Sequence, residues 1–116
     1  MRAVRAAHAG RSPPPLGGLV HMVQSVAKEH QSGVALDADE PAWRWLAARL
    51  EADAPRLRSR QLTQVYWSFA RLASAWAPRD ALVDGVGASA AAQLAQFDAM
   101  GLSQILWASA KLPRGV

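Results

Sequence analysis

The sequence contains no cysteine. That absence excludes disulfides, thiol nucleophiles and Cys-ligated zinc. β-Branched residues are few and there is a single tyrosine, so few segments suit a strand. No run approaches the roughly 18 apolar residues of a membrane span, and a soluble chain with no membrane contact is expected. Catalytic patterns are also missing. His8, His21 and His30 lack metal-ligand spacing and no HExxH occurs. Gly85-Val86-Gly87 neither follows a strand pattern nor forms a P-loop. Asp37, Asp39 and Glu40 read as the start of a helix rather than a calcium loop, because no glycine-centred twelve-residue ligand pattern follows. No metal, no cofactor and no enzymatic activity are expected.

Acid is absent from the first sixteen positions, where Arg2, Arg5 and Arg11 stand. The whole chain has 13 basic and 9 acidic side chains, a net charge of +4. Residues 17–116 hold ten basic and nine acidic side chains, a net of +1, so most of the basicity belongs to the N-terminal segment. A nucleic-acid surface on the remainder would need local clustering rather than overall charge. Residues 1–16 are rich in Arg, Ala, Ser and Pro. They read either as a partial organelle transit peptide or as a disordered leader with Pro13–Pro15 as a stiff spacer. Both readings put the segment outside the fold and leave residues 17–116 as one helical domain.

What is present is hydrophobic residue at 51% with only 19% charged, a globular balance, with much of the apolar share supplied by alanine, the best helix former. Apolar positions at three- and four-residue spacing predict five helices. The first runs from Leu16 to His30 on Leu19, Met22, Val23, Val26 and Ala27, and Gln31-Ser32-Gly33 stops it. The second, Pro41 to Ala52, carries Trp43, Leu46, Ala47 and Leu50, with proline and nearby acids suited to its N-terminus. The third extends from a Ser59 N-cap to about Trp76, with Leu62, Val65, Tyr66, Phe69, Leu72, Ala73 and Trp76 on its stripe. The fourth begins near Asp80 and includes Leu82, Val83, Val86, Ala90 and Leu94; Gly85 and Gly87 weaken it by roughly 1 kcal/mol each. The fifth follows an Asp98 cap with Leu102, Ile105, Leu106 and Leu112 and stops before Pro113.

Two of these segments are copies. LTQVYWSFARL (62–72) aligns with LSQILWASAKL (102–112) at an offset of forty, with Leu, Gln, Trp, Ala and the final Leu identical, and Leu57 aligns with Phe97. A weaker copy, LVHMVQSVAKE (19–29), lies forty-three residues before the second and places Gln24 where the others have Trp. A period near forty with two helices per period predicts an all-α chain, an α-solenoid of helical hairpins with about two and a half repeats.

The pattern Leu-x-x-x-x-Trp-x-x-Ala-Lys/Arg-Leu, with an apolar residue five positions before the first Leu, resembles the octotricopeptide repeat of algal organelle proteins. It is equally similar to the helical repeats of the FAST-kinase-like, RAP-domain family. The resemblance covers residues 57–112 well and 16–52 loosely, and the RAP domain itself has no counterpart in this sequence. It implies location in a chloroplast or mitochondrion and binding of single-stranded organelle RNA in its processing, stability or translation, beside other repeat proteins or ribonucleoprotein components.

Lys28, Arg71 and Lys111 occupy one position of the three copies. Equivalent positions of a solenoid stack into a line, so these three would make a basic ladder along a phosphate backbone. A cation in the last turn of a helix is also favoured by the helix dipole alone. Arg56, Arg58 and Arg60 alternate before the third helix and would grip phosphate or form a solvated loop. Gln64 and Gln104 would read base edges or serve as ordinary polar surface. Trp67 and Trp107 recur with the apolar pattern and are expected in the core, whereas Trp45 lies off its helix's main stripe and suits base stacking. Two further readings stay open: a protein-interaction solenoid scaffold, and a gene fragment without independent activity. The chain stops after the first helix of a repeat, and an uncapped apolar end predicts self-association.

Overall fold

The computed structural model describes residues 1–10 and 14–112. These form six α-helices: α1 (Arg2–Ala9), α2 (Leu16–Gln31), α3 (Pro41–Asp53), α4 (Ser59–Leu72), α5 (Asp80–Ala92) and α6 (Ala99–Ser109). Single 3-10 turns, Ala54–Arg56 and Leu94–Gln96, follow α3 and α5. No strand occurs among the described residues, and none of their helices is long and apolar enough to cross a membrane. The fold is all-α.

Packing follows a simple order. Helix α4 lies between α2 and α6, and α3 lies between α1 and α5. The hairpin mate α3 also rests on α2, and the turn Ala54–Arg56 rests on α5. Each of the pairs α3–α4 and α5–α6 has the same order of helix, 3-10 turn, two extended residues and helix. The forty-residue offset read from sequence is therefore also an offset between structural units.

Local chemistry explains the ends. Helix α2 closes with Gly33 at φ +106°, where a side chain would be strained. The Gly33 N–H donates to the His30 carbonyl at 3.1 Å and the Val34 N–H to the Glu29 carbonyl at 3.0 Å, which satisfies carbonyls the helix leaves open. Asp98 caps α6, its carboxylate accepting from the Gly101 N–H at 2.7 Å. At α5 the two helix-weakening glycines have different neighbours. A Cβ at Gly85 would stand 3.3 Å from the Ala54 Cβ, so glycine lets α5 approach the end of α3. Ser89 in the last turn of α5 and Gln93 just after it donate to the Leu57 carbonyl at 3.3 and 2.6 Å.

The core runs through the helices as one cluster that includes Leu19, Val23, Trp43, Leu46, Leu50, Leu57, Leu62, Val65, Phe69, Leu72, Leu82 and Val86. Trp76 packs edge-on to Trp43 at 4.9 Å and to Phe69 at 5.3 Å between ring centres, an arrangement favoured by the ring quadrupoles.

Several expectations are corrected. Residues 2–9 are a helix on α3 rather than a leader outside the fold. Met1, Val4 and His8 recur at helical spacing, and Val4 is buried. The Met1 ammonium pairs with Glu29 at 2.7 Å, Arg5 forks onto Glu40, and His8 lies 5.6 Å from the Trp45 ring centre. Acid-poor composition concealed that short stripe. Positions 11–13 of the expected leader lie outside the described residues, and its last residue, Leu16, begins α2.

The described residues form six α-helices, not five, and α4 ends at Leu72 rather than near Trp76. Residues 73–75 turn, which frees Trp76 to reach Trp43. Ser59 is the first helical residue of α4 instead of its N-cap; the Gln61 carboxamide accepts the Arg58 N–H at 2.9 Å. Leu94 belongs to a 3-10 turn and Leu106 to the solvent side of α6, both exposed. Leu112 is buried, though it lies beyond α6.

Deleting residues 1–10 removes the burial of Val4, worth about 1.5–3 kcal/mol for a full side chain. A fall in Tm of at least roughly 5 °C is expected, with Val4→Asp behaving likewise. An unchanged Tm would return the segment to the status of a leader. A second expectation concerns Tyr66, whose phenol burial pushes above its ordinary value of 10.0 while the bond to Ser109 pulls it back. The folded state then holds this proton more tightly than the unfolded chain. Its contribution is complete below pH 10 and is lost as pH rises beyond it. In thermal melts the stability advantage over Tyr66→Phe should shrink as the pH rises above 10.

Candidate nucleic-acid interface

Helix α4 buries Leu62, Val65, Tyr66, Ser68, Phe69 and Leu72. Among the residues it leaves at least partly open are Arg60, Gln64, Trp67 and Arg71, spaced four, three and four residues apart and therefore on one face. The same stripe on α6 and the turn after it is Met100, Gln104, Trp107 and Lys111, and on α2 it is Gly17, His21, Gln24 and Lys28. The repeat brings Gln64 and Arg71 on α4 beside Gln104 on α6 and Lys111 just after it, as α4 packs on α6.

At its centre rings and cations alternate. The Arg71 guanidinium carbon lies 5.1 Å from the Trp67 ring centre and 5.2 Å from that of Trp107. The Lys111 ammonium lies 5.5 Å from the Trp107 ring centre. All three distances are within cation–π range. Arg71 is half-buried, and its Nε finds no hydrogen-bond partner among the described residues. The rings thus hold Arg71 in place of a carboxylate. Trp67 is half-buried and packs against the core as expected, whereas Trp107 is 43% exposed, which corrects its expected place in the core. Each ring lies beside the cation four residues later in the chain. The spacing Trp67–Arg71 and Trp107–Lys111 was visible in the sequence as an i, i+4 pair; its bridging by Arg71 across two helices was not.

Lys28 and Lys111 are exposed. Lys28 sits in the last turn of α2 and Arg71 in the last turn of α4, and Lys111 directly follows the C-cap of α6, so all three also stand where a helix dipole favours a cation. Near Lys28, His30 Nε2 lies 3.3 Å from the Ser74 hydroxyl, tying the end of α2 to the turn after α4.

A groove of about 480 Å³ continues the stripe toward the start of both helices, lined by Arg60, Thr63, Gln64, Met100, Gly101 and Gln104 among others. Gln64 and Gln104 therefore share one depression. Arg60 joins them, and the other two members of its triplet do not. Arg56 and Arg58 flank the buried Leu57 and line a separate cleft with Gln61, Gln93 and Gln96. Arg56 is also within 3.7 Å of Asp53. Trp45 lies elsewhere again, half-buried beneath His8 and beside a cleft of about 730 Å³ that includes Trp43, Trp76, Arg44 and Arg79. It is not part of the α4–α6 stripe. Among the described residues no group of three His, Asp or Glu side chains is placed to hold a metal ion.

No protein-family model matches the chain, and no curated protein or solved structure matches it.

The Arg71–Trp107 pair can be isolated by a double-mutant cycle of Arg71→Met and Trp107→Leu, which keep much of the apolar volume. A coupling of about 0.5–1 kcal/mol in chemical unfolding is expected. Additive single effects would mean that the guanidinium merely lies near the ring.

Proposed function

We propose that this protein is an α-solenoid segment that binds single-stranded RNA along the solvent stripe of α2, α4 and α6. The observation that carries the reading is the alternation of Trp67, Arg71, Trp107 and Lys111 at repeat-equivalent positions. Aromatic faces and cations in alternation suit unpaired bases joined by phosphates. The packing order α2–α4–α6 beside α1–α3–α5 supports the solenoid, with three helix pairs in place of two and a half. The likeness to octotricopeptide and FAST-kinase-like repeats supports RNA as the ligand and a chloroplast or mitochondrion as the setting, with a binding rather than catalytic role.

The residues divide the work. Arg71 is committed to its two rings, so its part is to hold them at a fixed spacing. Lys28, Lys111 and Arg60 are the phosphate contacts. Trp107, the more open ring, stacks on a base, and Gln64 and Gln104 in the groove face base edges.

With about three phosphate contacts, the slope of log K against log salt for single-stranded RNA should be near −2. In fluorescence anisotropy with a labelled 12-nucleotide RNA, Trp107→Ala should weaken binding about 5- to 150-fold, as loss of one stacked base does. Lys28→Ala should flatten the salt slope by roughly 0.7. Affinity no greater than that of a charge-matched helical control, or insensitivity to both substitutions, would refute the reading. Capture of a protein partner without RNA binding would favour the scaffold alternative.

A further inference from the structure

We infer that the groove between the starts of α4 and α6 takes a guanine base, with Asp98 as the residue that selects it. This rests on the RNA reading above and adds to it the identity of one base. The groove's polar lining includes Arg60, Gln64, Asp98 and Gln104, and Phe97 and Met100 supply apolar surface. Its hydrogen-bonding groups are unequally spent. The Thr63 hydroxyl donates to the Ser59 carbonyl at 3.1 Å. The side chains of Arg60, Gln64 and Gln104 make no hydrogen bond or ion pair among the described residues. Asp98 is half spent: one carboxylate oxygen accepts the Gly101 N–H at 2.7 Å, and the other accepts nothing among the described residues.

Capping alone does not call for that charge. Forty residues upstream of Asp98 stands Arg58, whose N–H donates to the Gln61 carboxamide at 2.9 Å. Gly101 stands where Gln61 does, so the side-chain cap of α6 falls to position 98. Asparagine or serine would serve there as well. Aspartate differs from them in leaving a second, anionic acceptor at the groove. The glycine keeps this corner open, since a Cβ at Gly101 would stand 3.1 Å from the Asp98 carboxylate and 3.7 Å from the Thr63 hydroxyl oxygen.

An ionised carboxylate only accepts. Along the pairing edge of an unpaired base, guanine alone offers two adjacent donors, N1–H and N2–H. Adenine and cytosine present one amine beside a bare ring nitrogen, whose lone pair a carboxylate repels. Uracil presents one N–H between two carbonyls. Cytosine is the nearest competitor, because its amine is a carboxylate partner in duplexes; there its ring nitrogen is covered by pairing, and in a single strand it is not. Guanine's O6 and N7 are acceptors and suit the free amide N–H groups of Gln64 and Gln104. Arg60 is left for phosphate. Met100, 70% exposed, and the half-buried Phe97 offer apolar contact to the faces of the ring.

The test is fluorescence anisotropy of the full chain with labelled oligouridine of about 12 nucleotides, carrying one central guanosine, inosine, adenosine or cytidine. The guanosine RNA should bind at least about 5-fold tighter than oligouridine itself, the low end for a bidentate base contact. Inosine lacks only the N2 amine and should lose most of that gain. Asp98→Asn, which can still cap α6, should make guanosine and inosine equal and bind oligouridine no less tightly. Equal affinity for every RNA, or a preference for cytidine, would overturn the guanine assignment while leaving the RNA reading in place. A guanosine preference unaltered by inosine or by Asp98→Asn would overturn the role of Asp98. Binding of none of these RNAs would overturn both readings. The inosine comparison needs no substitution in the protein, so it decides even where asparagine disturbs the helix.

Discussion

Helix α4 has to satisfy neighbours on both sides. It packs on α2 and α6 at once while also meeting α5, and it devotes six of its fourteen residues to burial to do so. Among the residues left partly open, Arg60, Gln64, Trp67 and Arg71 share one face, and the repeat imposes the matching stripe on α6. The candidate site is therefore a consequence of the packing: its side chains are set at fixed spacing because the helices that carry them cannot rotate without emptying the core.

Much of this was legible in the sequence. The starts of α2, α3 and α5 follow from Leu16, Pro41 and Asp80, because apolar spacing, proline in a first turn and acid at a helix N-terminus are local signals. The forty-residue offset was legible for the same reason, since repetition needs no knowledge of tertiary contacts. What failed depended on partners distant in the chain. The first ten residues looked like a leader by composition, and only the contacts of Val4 and Met1 reveal a helix. Trp76 seemed to extend α4, and its place between Trp43 and Phe69 is set by a ring thirty-three residues away. Leu106 fits an apolar stripe, yet no hairpin among the described residues covers it.

The site shows the same division. Equivalence of Lys28, Arg71 and Lys111 could be read by alignment, but their unequal environments could not. Lys28 and Lys111 extend into solvent while Arg71 lies between two indoles. Arg56, Arg58 and Arg60 looked like one cluster, but alternation around the buried Leu57 sends Arg60 to the α4 stripe and the other two to a different cleft. A net charge of only +1 over residues 17–116 also means that any RNA affinity has to come from stacking as much as from phosphate neutralisation. That requirement gives the two tryptophans their importance.

The most direct test is nuclear magnetic resonance mapping of backbone amides and indole N–H groups during titration with single-stranded RNA. The account predicts shifts concentrated at the Trp67 and Trp107 indoles and at residues 28, 60, 64, 71, 104 and 111, on three helices that are far apart in sequence and adjacent in space. Shifts confined to the Arg56–Arg58 cleft or to α3 and α5, or no shifts at all, would contradict it.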